Sequence, residues 1–282
     1  MSKKLTKIVL TGAAGRLGSY LREPLCALCD TLVSTDIKEQ PGALYDGEHY
    51  VQADLADFDA MSAVIEGAEM VVHMGAFVDE GPFEQLLGPN FIGSYNVWEA
   101  ASKHGVRRVV YGSSIHAVGM YPKNEFIDTE VAHRPDTFYG LAKCFTEDLG
   151  RMYWEKRGLE SVHMRILSCA QVNNARALGS WLSYDDLIQL VTRCIETPVT
   201  GFAVIYGVSD NDRAPVDNAK ARFLGYRPRD NAEQFAAEVL ANEPPMDPQD
   251  PNHMCHGGPF AGVELGNSGL AGMNVVDDTK KS

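Results

Sequence analysis

The hydrophobic positions of this chain form two kinds of segment that alternate through its first two thirds. Short runs of apolar and β-branched residues are typical of strands buried on both faces of a sheet. The segments between them carry apolar residues at helical spacing. The predicted strands are 7–11, 31–35, 49–53, 70–74, 108–113, 161–167 and 201–206. The predicted helices are one ending at about 27, then 57–65, 90–104, one from 139 onward, 184–196 capped by Ser183, and 231–240.

Strands that alternate with helices at this spacing predict an α/β fold with a Rossmann-type doubly wound parallel sheet. We expect residues 1–168 to form its core and residues 169–242 to form a small C-terminal substrate lobe. One strand of that lobe, at about 201–206, is expected to return to the sheet. Residues 243–282 are rich in proline and glycine, so we expect an extended or partly disordered tail there.

Composition and charge limit the possible partners. Of the 282 residues, 45% are hydrophobic and 22% are charged, which is typical of a globular protein. The net charge of −13 argues against binding to nucleic acid or to an anionic membrane surface. The longest apolar stretch, 70–78, includes His73 and is too short to cross a membrane. We therefore expect a cytoplasmic protein with a small-molecule ligand.

The six cysteines give no clear metal or redox motif. Only Cys26 and Cys29 have suggestive spacing, and no second pair of cysteines or histidines matches them. We expect neither a metal site nor a disulfide.

A glycine-rich segment follows the first predicted strand and opens the first helix. Gly12, Gly15 and Gly18 allow a tight turn and a close approach of a pyrophosphate to the helix N-terminus. Asp36 ends the second strand, eighteen residues after Gly18. A carboxylate there accepts both hydroxyls of an adenosine ribose and repels a 2′-phosphate, which favours NAD over NADP. The alternative is a solvated loop aspartate, and Lys38 could weaken the preference for NAD.

Tyr139 and Lys143 are four residues apart, so they share one face of a helix. An ammonium beside the phenol is expected to lower the pKa of the tyrosine, which could then take a proton from an alcohol near neutral pH. Ser114 follows the fifth strand, at the edge where ligands of such sheets bind, and could orient that alcohol. Alone, the tyrosine and lysine could equally be a surface pair.

The motifs together resemble the extended branch of the short-chain dehydrogenase/reductase superfamily over roughly residues 8–242. The residues that carry the likeness are Thr11 to Gly18, Asp54 with Leu55, Asn90 with Gly93 and Asn96, Ser113 with Ser114, and Tyr139 with Lys143. In finer detail the chain looks like bacterial uronate dehydrogenases, for example in the stretches 82–85, 134–136, 143–145, 165–169, 173–176 and 181–186. That resemblance implies oxidation of C1 of an aldohexuronate or related aldose by NAD, giving a lactone, and it implies a homo-oligomer.

The resemblance also implies roles for single residues. Tyr139 matches the catalytic base, with Lys143 and Ser114 as its partners, and Arg176 matches an arginine that binds the substrate carboxylate. The residues expected to contact substrate are Val78, Ser114, Ile115, His116, Tyr139 and Arg176. Those expected to bind NAD are Gly12, Ala14, Gly15, Arg16, Leu17, Gly18, Asp36, Asp54, Leu55, Gly75, Ala76, Tyr139, Lys143 and Ser168.

Three positions depart from the uronate dehydrogenase pattern. Val78 stands where that family has a serine, Ile115 where it has an asparagine, and Pro215 with Val216 where it has two tryptophans. Because a site that binds a hydroxyl discriminates against its absence, these positions bear on which sugar is used.

Several alternatives remain at the level of sequence. The chain could be a sugar epimerase or dehydratase of the same superfamily, or a cofactor-sensing regulatory protein. His116 could be a structural residue at a strand end, and Arg176 could pair with Asp185, with Asp186 or with a partner chain. We expect Asp79 and Glu80 to lie in a solvated loop, and subunits to associate through residues 90–104 and 139–158.

Overall fold

The computed structural model describes residues 4–39, 41–243, 245, 247–271 and 278–280. Its centre is a sheet of seven parallel strands in the order β3-β2-β1-β4-β5-β6-β7. The strands are β1 (Leu5–Thr11), β2 (Cys29–Asp36), β3 (Glu48–Gln52), β4 (Met70–His73), β5 (Arg108–Ser114), β6 (Glu160–Ile166) and β7 (Phe202–Gly207). The predicted doubly wound parallel sheet is therefore confirmed, and β7 pairs with β6 as expected.

The strand order reverses between β1 and β4, which lie next to each other in the sheet. At the carboxyl end of β1, Thr11 is in register with Thr35 of β2 and with His73 of β4. The connections leaving these strands diverge to opposite faces and leave a crevice between them, where ligands of open α/β sheets bind.

Helices cover both faces of the sheet. They are α1 (Arg16–Leu28), α2 (Phe58–Ile65), α3 (Phe83–Leu86), α4 (Gly93–Lys103), α5 (Phe138–Arg157), α6 (Ala177–Ser180), α7 (Tyr184–Glu196), α8 (Ala236–Ala241), α9 (Pro251–Met254) and α10 (Pro259–Gly262). Apolar side chains of α1 and α7 fill the core on one face, and those of α2, α4 and α5 fill it on the other. Among the described residues, no helix is long and apolar enough to span a membrane.

Side-chain caps explain where three of these helices begin. Asp57, Thr137 and Ser183 each accept a hydrogen bond from a backbone N–H in the first turn of α2, α5 and α7, respectively. Such caps satisfy donors that have no partner within the helix. The predicted cap at Ser183 is confirmed.

Two predicted helices differ in their first turns. The segment expected as a helix from residue 90 begins as a π-helical turn, Leu87–Ile92, before α4. The segment expected from 231 begins as a 3₁₀ turn, Ala232–Phe235, before α8. Gly93 shows why the first of these segments needs a glycine. A Cβ at this position would lie 2.6 Å from Cβ of Leu55, so the helix packs directly on the loop after β3.

The tail after residue 243 is not the extended arm expected from its composition. Its described residues include two one-turn helices, α9 and α10, and Cys255 makes an isolated antiparallel bridge with Pro122. Phe260 is buried against the body of the protein. Composition failed here because Phe260 packs in one cluster with Leu86 and Tyr139, which are distant in sequence, and composition does not show such contacts. Residues 244, 246, 272–277, 281 and 282 of the predicted tail lie outside the described residues.

Candidate active site

A cavity of about 690 Å³ opens at the carboxyl edge of the sheet, between the loops that follow strands β1 to β6 and the tail. This volume is within the range of small-molecule sites. The residues predicted from sequence that line it are Gly12, Gly15, Arg16, Leu17, Gly18, Asp36, Asp54, Leu55, Gly75, Ala76, Val78, Ser114, His116, Tyr139, Lys143, Ser168 and Arg176. The fold thus brings almost the whole predicted site into one cavity.

The glycine segment forms a turn that only glycine can make. Gly12 has φ +69°, and a Cβ on it would lie 2.6 Å from the backbone nitrogen of Gly75. A Cβ on Gly18 would lie 2.0 Å from the carbonyl oxygen of Gly12. The turn leads into the N-terminus of α1, which has no side-chain cap. The cradle therefore offers backbone N–H groups and a positive dipole end to an anion such as a pyrophosphate.

Asp36 is held beside this turn by Ala14. One carboxylate oxygen of Asp36 accepts a hydrogen bond from the backbone N–H of Ala14 at 3.0 Å, and the other accepts from the backbone N–H of Lys38 at 3.1 Å. The Lys38 ammonium donates to the carbonyl oxygen of Ala14 at 3.2 Å. Ala14 was expected to contact the cofactor. It does not line the cavity, because its backbone is used to fix Asp36.

Two asparagines of α4 and the preceding turn hold the loops of the cofactor half. The Asn90 side chain accepts from the backbone N–H of Phe77 at 2.8 Å and donates to its carbonyl at 2.9 Å. Asn96 donates to the carbonyl of Leu55 at 2.9 Å. The motif formed by Asn90, Gly93 and Asn96 therefore shapes the cavity without reaching into it.

Lys143 and Tyr139 lie together at the base of the cavity, both deeply buried. The Lys143 ammonium donates to the carbonyl of Gly112 at 2.8 Å and lies 5.2 Å from the centre of the Tyr139 ring. Burial lowers the pKa of Lys143 to about 7, although Glu147 opposes the shift. Burial raises the pKa of Tyr139 to about 12, against a hydrogen bond with Ser114 that lowers it.

The expectation that Lys143 lowers the pKa of Tyr139 is therefore wrong, because it considered the ammonium alone and neglected burial. The pKa of Lys143, at about 7, lies near neutral pH, whereas the raised pKa of Tyr139 means that the phenol keeps its own proton there. Lys143 is therefore the member of the pair that loses its proton first. A pair that has lost this proton can accept one from a substrate alcohol.

His116 has a defined partner. Its Nδ1 lies 2.7 Å from Oδ2 of Asp136, and its ring packs 4.2 Å from that of Phe260 and 5.6 Å from that of Tyr139, between ring centres. Asp136 also accepts a hydrogen bond from the hydroxyl of Thr137 at 2.8 Å. His116 is thus a wall of the cavity with a fixed ring orientation, and not only a structural residue of the strand end.

Arg176 lies at the end of the cavity formed by the tail. Its guanidinium donates to the backbone carbonyl of His256 at 3.0 Å. It does not pair with Asp186, whose oxygens accept instead from Ser209 and from the backbone of Arg229 and Asp230. Burial lowers the pKa of Arg176 while Asp136 raises it. An arginine in this position keeps donors available for a bound anion.

The expected contact of Ile115 with substrate is wrong. Its side chain is 1% exposed and belongs to a hydrophobic cluster with Val118 and Val216, away from the cavity wall. Ser114 caps a 3₁₀ turn, Ile115–Val118, and this turn directs the next side chain inward. Two of the three departures from the uronate dehydrogenase pattern thus fall in one core cluster. Only Val78, which is 59% exposed, remains on the cavity wall.

The acidic pair Asp79 and Glu80 is not a solvated loop, as the sequence suggested. Glu80 is 1% exposed, and it accepts hydrogen bonds from the backbone N–H groups of Tyr139 and Gly266, each at 3.0 Å. Asp79 accepts from the backbone N–H groups of Gly269 and Leu270. The pair therefore ties the tail to the start of α5.

Sequence reasoning missed three contributors to the site: Asp136, Glu80 and the tail. Gly257, Pro259, Phe260, Leu270 and Thr279 of the tail all line the cavity. At the glycine turn, Asp278 pairs with Arg16 at 2.7 Å. Nothing in the local pattern identifies these residues, since each acts through a partner far away in the chain.

His73, a histidine outside the cavity, has a structural role, and the cysteines form no disulfide. His73 is buried, its pKa is lowered to about 3 by burial, and its Nδ1 lies 2.7 Å from the hydroxyl oxygen of Thr11. The six cysteines are unpaired. No cluster of metal-ligating side chains occurs in the part of the chain that the structure describes.

The fold and the cavity define a class of protein. A glycine turn at the reversal of a parallel sheet, followed by an acidic residue at the next strand end, binds a dinucleotide. A serine, a tyrosine and a lysine beside it are typical of an oxidoreductase that acts on an alcohol. The chain belongs to the NAD dependent epimerase/dehydratase family, whose family model matches residues 8–170.

Within this family, the chain is similar to dehydrogenases that act on sugar acids. The chain is 43% identical over 256 residues to the uronate dehydrogenase of Pseudomonas putida, covering 90% of this chain and 95% of that protein. A solved uronate dehydrogenase of Agrobacterium tumefaciens, a tyrosine-to-alanine mutant complexed with NAD, superposes with TM-score 0.87 and 41% identity over 92% of this chain and 98% of that one. The glucuronic acid dehydrogenase of Chromohalobacter salexigens gives TM-score 0.89 and 39% identity over the same shares of the two chains. The chain is an NAD-dependent oxidoreductase.

Proposed function

We propose that this enzyme oxidises the C1 hydroxyl of an aldohexuronate to the lactone, with NAD as the hydride acceptor. One observation carries the proposal. Ser114, Tyr139 and Lys143 share a single cavity with the glycine turn at one end and with Arg176 at the other. A cofactor, an alcohol and a carboxylate can therefore be bound side by side. The dehydrogenases described above, which cover nine tenths of this chain, give the proposal further support.

Each polar residue at the base of the cavity has a separate role in the reaction. When Lys143 has lost its proton, the oxygen of Tyr139 takes the proton of the C1 hydroxyl as it gives up its own proton toward the Lys143 amine, so the positive charge ends on the lysine. Ser114 orients the same hydroxyl. When bound, NAD supplies the acceptor for the hydride that leaves C1. The C1–H bond breaks, a C1 carbonyl forms, and the ring oxygen stays attached, so the product is a lactone.

The other cavity residues bind the two ligands. Arg176 holds the substrate carboxylate with its planar fork of donors, and His116 and Val78 contact the sugar ring. The glycine turn and Arg16 bind the pyrophosphate, Asp36 binds the adenosine ribose, and Asp54 and Leu55 face the adenine end. Gly75, Ala76 and Ser168 lie toward the nicotinamide end. Residues 1–168 would then be the NAD-binding core, and 169–242 the substrate lobe.

The main alternatives have less support. An epimerase or dehydratase would return the hydride to its substrate and produce no net NADH, whereas the similar proteins reported above are dehydrogenases. A regulatory protein that only senses the cofactor has no need of a base, yet Tyr139 and Lys143 both line the cavity.

A substrate panel tests the proposal. Purified enzyme is mixed with NAD and with galacturonate, glucuronate and the matching neutral aldoses, and NADH is followed by absorbance. We expect turnover of at least one uronate. We expect Arg176→Ala to raise KM for the uronate about 10- to 100-fold, because a hydrogen-bonded charge pair contributes about 1.5–3 kcal/mol. Arg193→Ala, which removes an exposed arginine of α7, is the matched control and should behave as wild type. Absence of turnover with every sugar would refute the proposal.

We also infer that the enzyme is a cytoplasmic homo-oligomer. Helix α5 packs on the turn Leu87–Ile92 that precedes α4, with the Phe91 and Phe145 rings 5.3 Å apart. Large apolar side chains stand exposed along them and the preceding turn: Leu87, Ile92, Tyr95, Leu141, Phe145, Met152 and Trp154. Such an apolar surface supports an interface between subunits. Light scattering should give a multiple of the chain mass, and Met152→Glu should reduce it, whereas an unchanged monomer mass for the wild type would contradict this inference.

A further inference from the structure

The tail segment 255–260 is fastened to the loop after β5 by a row of backbone hydrogen bonds. The N–H groups of His256 and Gly257 donate to the carbonyls of Tyr121 and Gly119 at 3.0 and 2.9 Å. The backbone N–H of Lys123 donates to the carbonyl of Met254 at 2.7 Å. The His256 ring lies 3.0 Å from the carbonyl of Glu125. This part of the tail is therefore a fixed wall of the cavity.

The same segment contacts Arg176 at two points. The carbonyl of His256 accepts from the guanidinium at 3.0 Å. Gly258 lies against the guanidinium as well, and a Cβ built on it would be 2.5 Å from Nε of Arg176. Gly258 also has φ +59°, a conformation that other residues rarely adopt. No larger residue fits there without moving the arginine.

The segment also encloses the Asp136–His116 pair. A Cβ on either Gly257 or Gly119 would lie 1.9 Å from Oδ2 of Asp136, the oxygen that faces His116. Phe260 covers the imidazole ring from the cavity side. One short stretch of tail thus touches both polar groups at the substrate end of the cavity.

We propose that the tail segment 255–260 positions Arg176 for the substrate carboxylate, with Gly258 as the positioning residue. This inference rests on the proposed function, since it takes Arg176 as the carboxylate ligand. A guanidinium held by one backbone carbonyl keeps its other donors aimed into the cavity, which reduces the entropy lost when an anion binds. Gly258 permits that position because it has no side chain.

Gly258→Ala tests the proposal, with Gly67→Ala as the control. Gly67 has φ +73° and no atoms within 4 Å of a built Cβ, so its substitution adds similar backbone strain without a clash. We expect Gly258→Ala to raise KM for the uronate on the order of 10- to 100-fold, the effect of a misplaced binding group. KM for a neutral aldose and the Kd for NAD should stay as in Gly67→Ala.

The decisive quantity is the ratio of kcat/KM for the uronate to that for the neutral aldose. This ratio does not depend on how much enzyme is folded. We expect it to fall in Gly258→Ala, and to fall no further when Gly258→Ala is added to Arg176→Ala. A ratio equal to that of Gly67→Ala would overturn the inference while leaving the proposed function intact. Absence of uronate turnover by the wild type would refute the proposed function itself.

A second measurement needs no variant. In the presence of NADH, uronate should slow the hydrogen exchange of the backbone amides in 255–260 of the wild-type enzyme, and a neutral aldose should slow it less. Equal exchange with and without uronate would also overturn the inference.

Discussion

The Nδ1 atom of His116 lies 2.7 Å from Oδ2 of Asp136, and both residues are buried at the substrate end of the cavity. Because an ionised carboxylate only accepts hydrogen bonds, this contact places a proton on Nδ1. In the neutral ring, Nε2 is then an acceptor for a sugar hydroxyl. Asp136 thus holds the His116 ring in one orientation and one tautomer, as a positioning residue.

Asp136→Asn should lower kcat/KM for the uronate about 10- to 100-fold, the equivalent of a charged hydrogen bond worth about 1.5–3 kcal/mol. The amide can present a donor to Nδ1 and so reverse the tautomer, as in other histidine–aspartate pairs. Steady-state kinetics of the single and double variants measure the effect. In a His116→Ala background, Asp136→Asn should leave kcat/KM unchanged. An equal loss of kcat/KM in both backgrounds would show that Asp136 acts independently of the His116 ring.

The Tyr139–Lys143 pair predicts the pH dependence of the reaction. Since burial lowers the pKa of Lys143 to about 7, the pair holds its extra proton below that pH and loses it above. We expect kcat/KM for oxidation to rise with pH and to level off above about 7. Lys143→Arg keeps a cation at every accessible pH, so its profile should lack this step. A wild-type profile that is flat from pH 5 to 9 would contradict the assignment.

Glu147 lies at the centre of a buried network behind the active site. It accepts hydrogen bonds from Ser113 at 2.6 Å, from Arg165 at 2.7 and 3.0 Å, and pairs with His133 at 2.8 Å. Burial alone would raise the pKa of Glu147, but hydrogen bonds from His133 and Arg165 overcome it and lower the pKa to about 2. This lowered pKa ties the stability of the fold to pH.

Because the folded-state pKa of Glu147 is below its ordinary value, its contribution is complete above about pH 4.5 and is lost as the pH falls toward 2. Glu147→Gln should reduce the free energy of unfolding at pH 7 by about 3–5 kcal/mol, since it leaves Arg165 without its charge partner. Urea unfolding at pH 7 and at pH 3.5 should show a smaller difference between variant and wild type at the lower pH. An equal difference in the free energy of unfolding at pH 7 and at pH 3.5 would contradict the proposed contribution of ionised Glu147 to stability.

Glu80 joins the catalytic helix to the tail. It accepts from the backbone of Tyr139 at the start of α5, where a negative charge also suits the helix dipole. We expect Glu80→Ala to lower the free energy of unfolding by about 2–3 kcal/mol, with two backbone donors left unpaired. Glu84→Ala, which removes a more exposed glutamate in α3, serves as the control in thermal unfolding. Equal melting temperatures for the two variants would contradict the role of Glu80.

The order of strands and helices could be predicted from sequence because both signals are local. The alternation of apolar runs with helical periodicity depends only on neighbouring residues, and all seven predicted strands occur within about two residues of their expected bounds. The exceptions were first turns: Leu87–Ile92 is π-helical and Ala232–Phe235 is 3₁₀-helical, and apolar periodicity does not distinguish these turns from an α-helix.

The site residues that could be predicted are those whose type and spacing in the sequence form a recognisable motif. Glycines at 12, 15 and 18 and the i, i+4 pair of Tyr139 and Lys143 are such signals. The direction in which a side chain points cannot be predicted from type and spacing, as Ile115 illustrates. One residue after Ser114 in sequence, it points into a core cluster that also contains Val216.

The sequence by itself thus determined the sheet, the dinucleotide turn and the alcohol-oxidising set, since each follows from backbone conformation or from residues close in the chain. Tertiary structure alone decided the pKa values of Tyr139 and Lys143, because burial dominates both. It also decided that the tail forms part of the cavity. Glu80 and Asp136 act on backbone and side chains far from them in sequence, and such contacts exist only once the chain has folded.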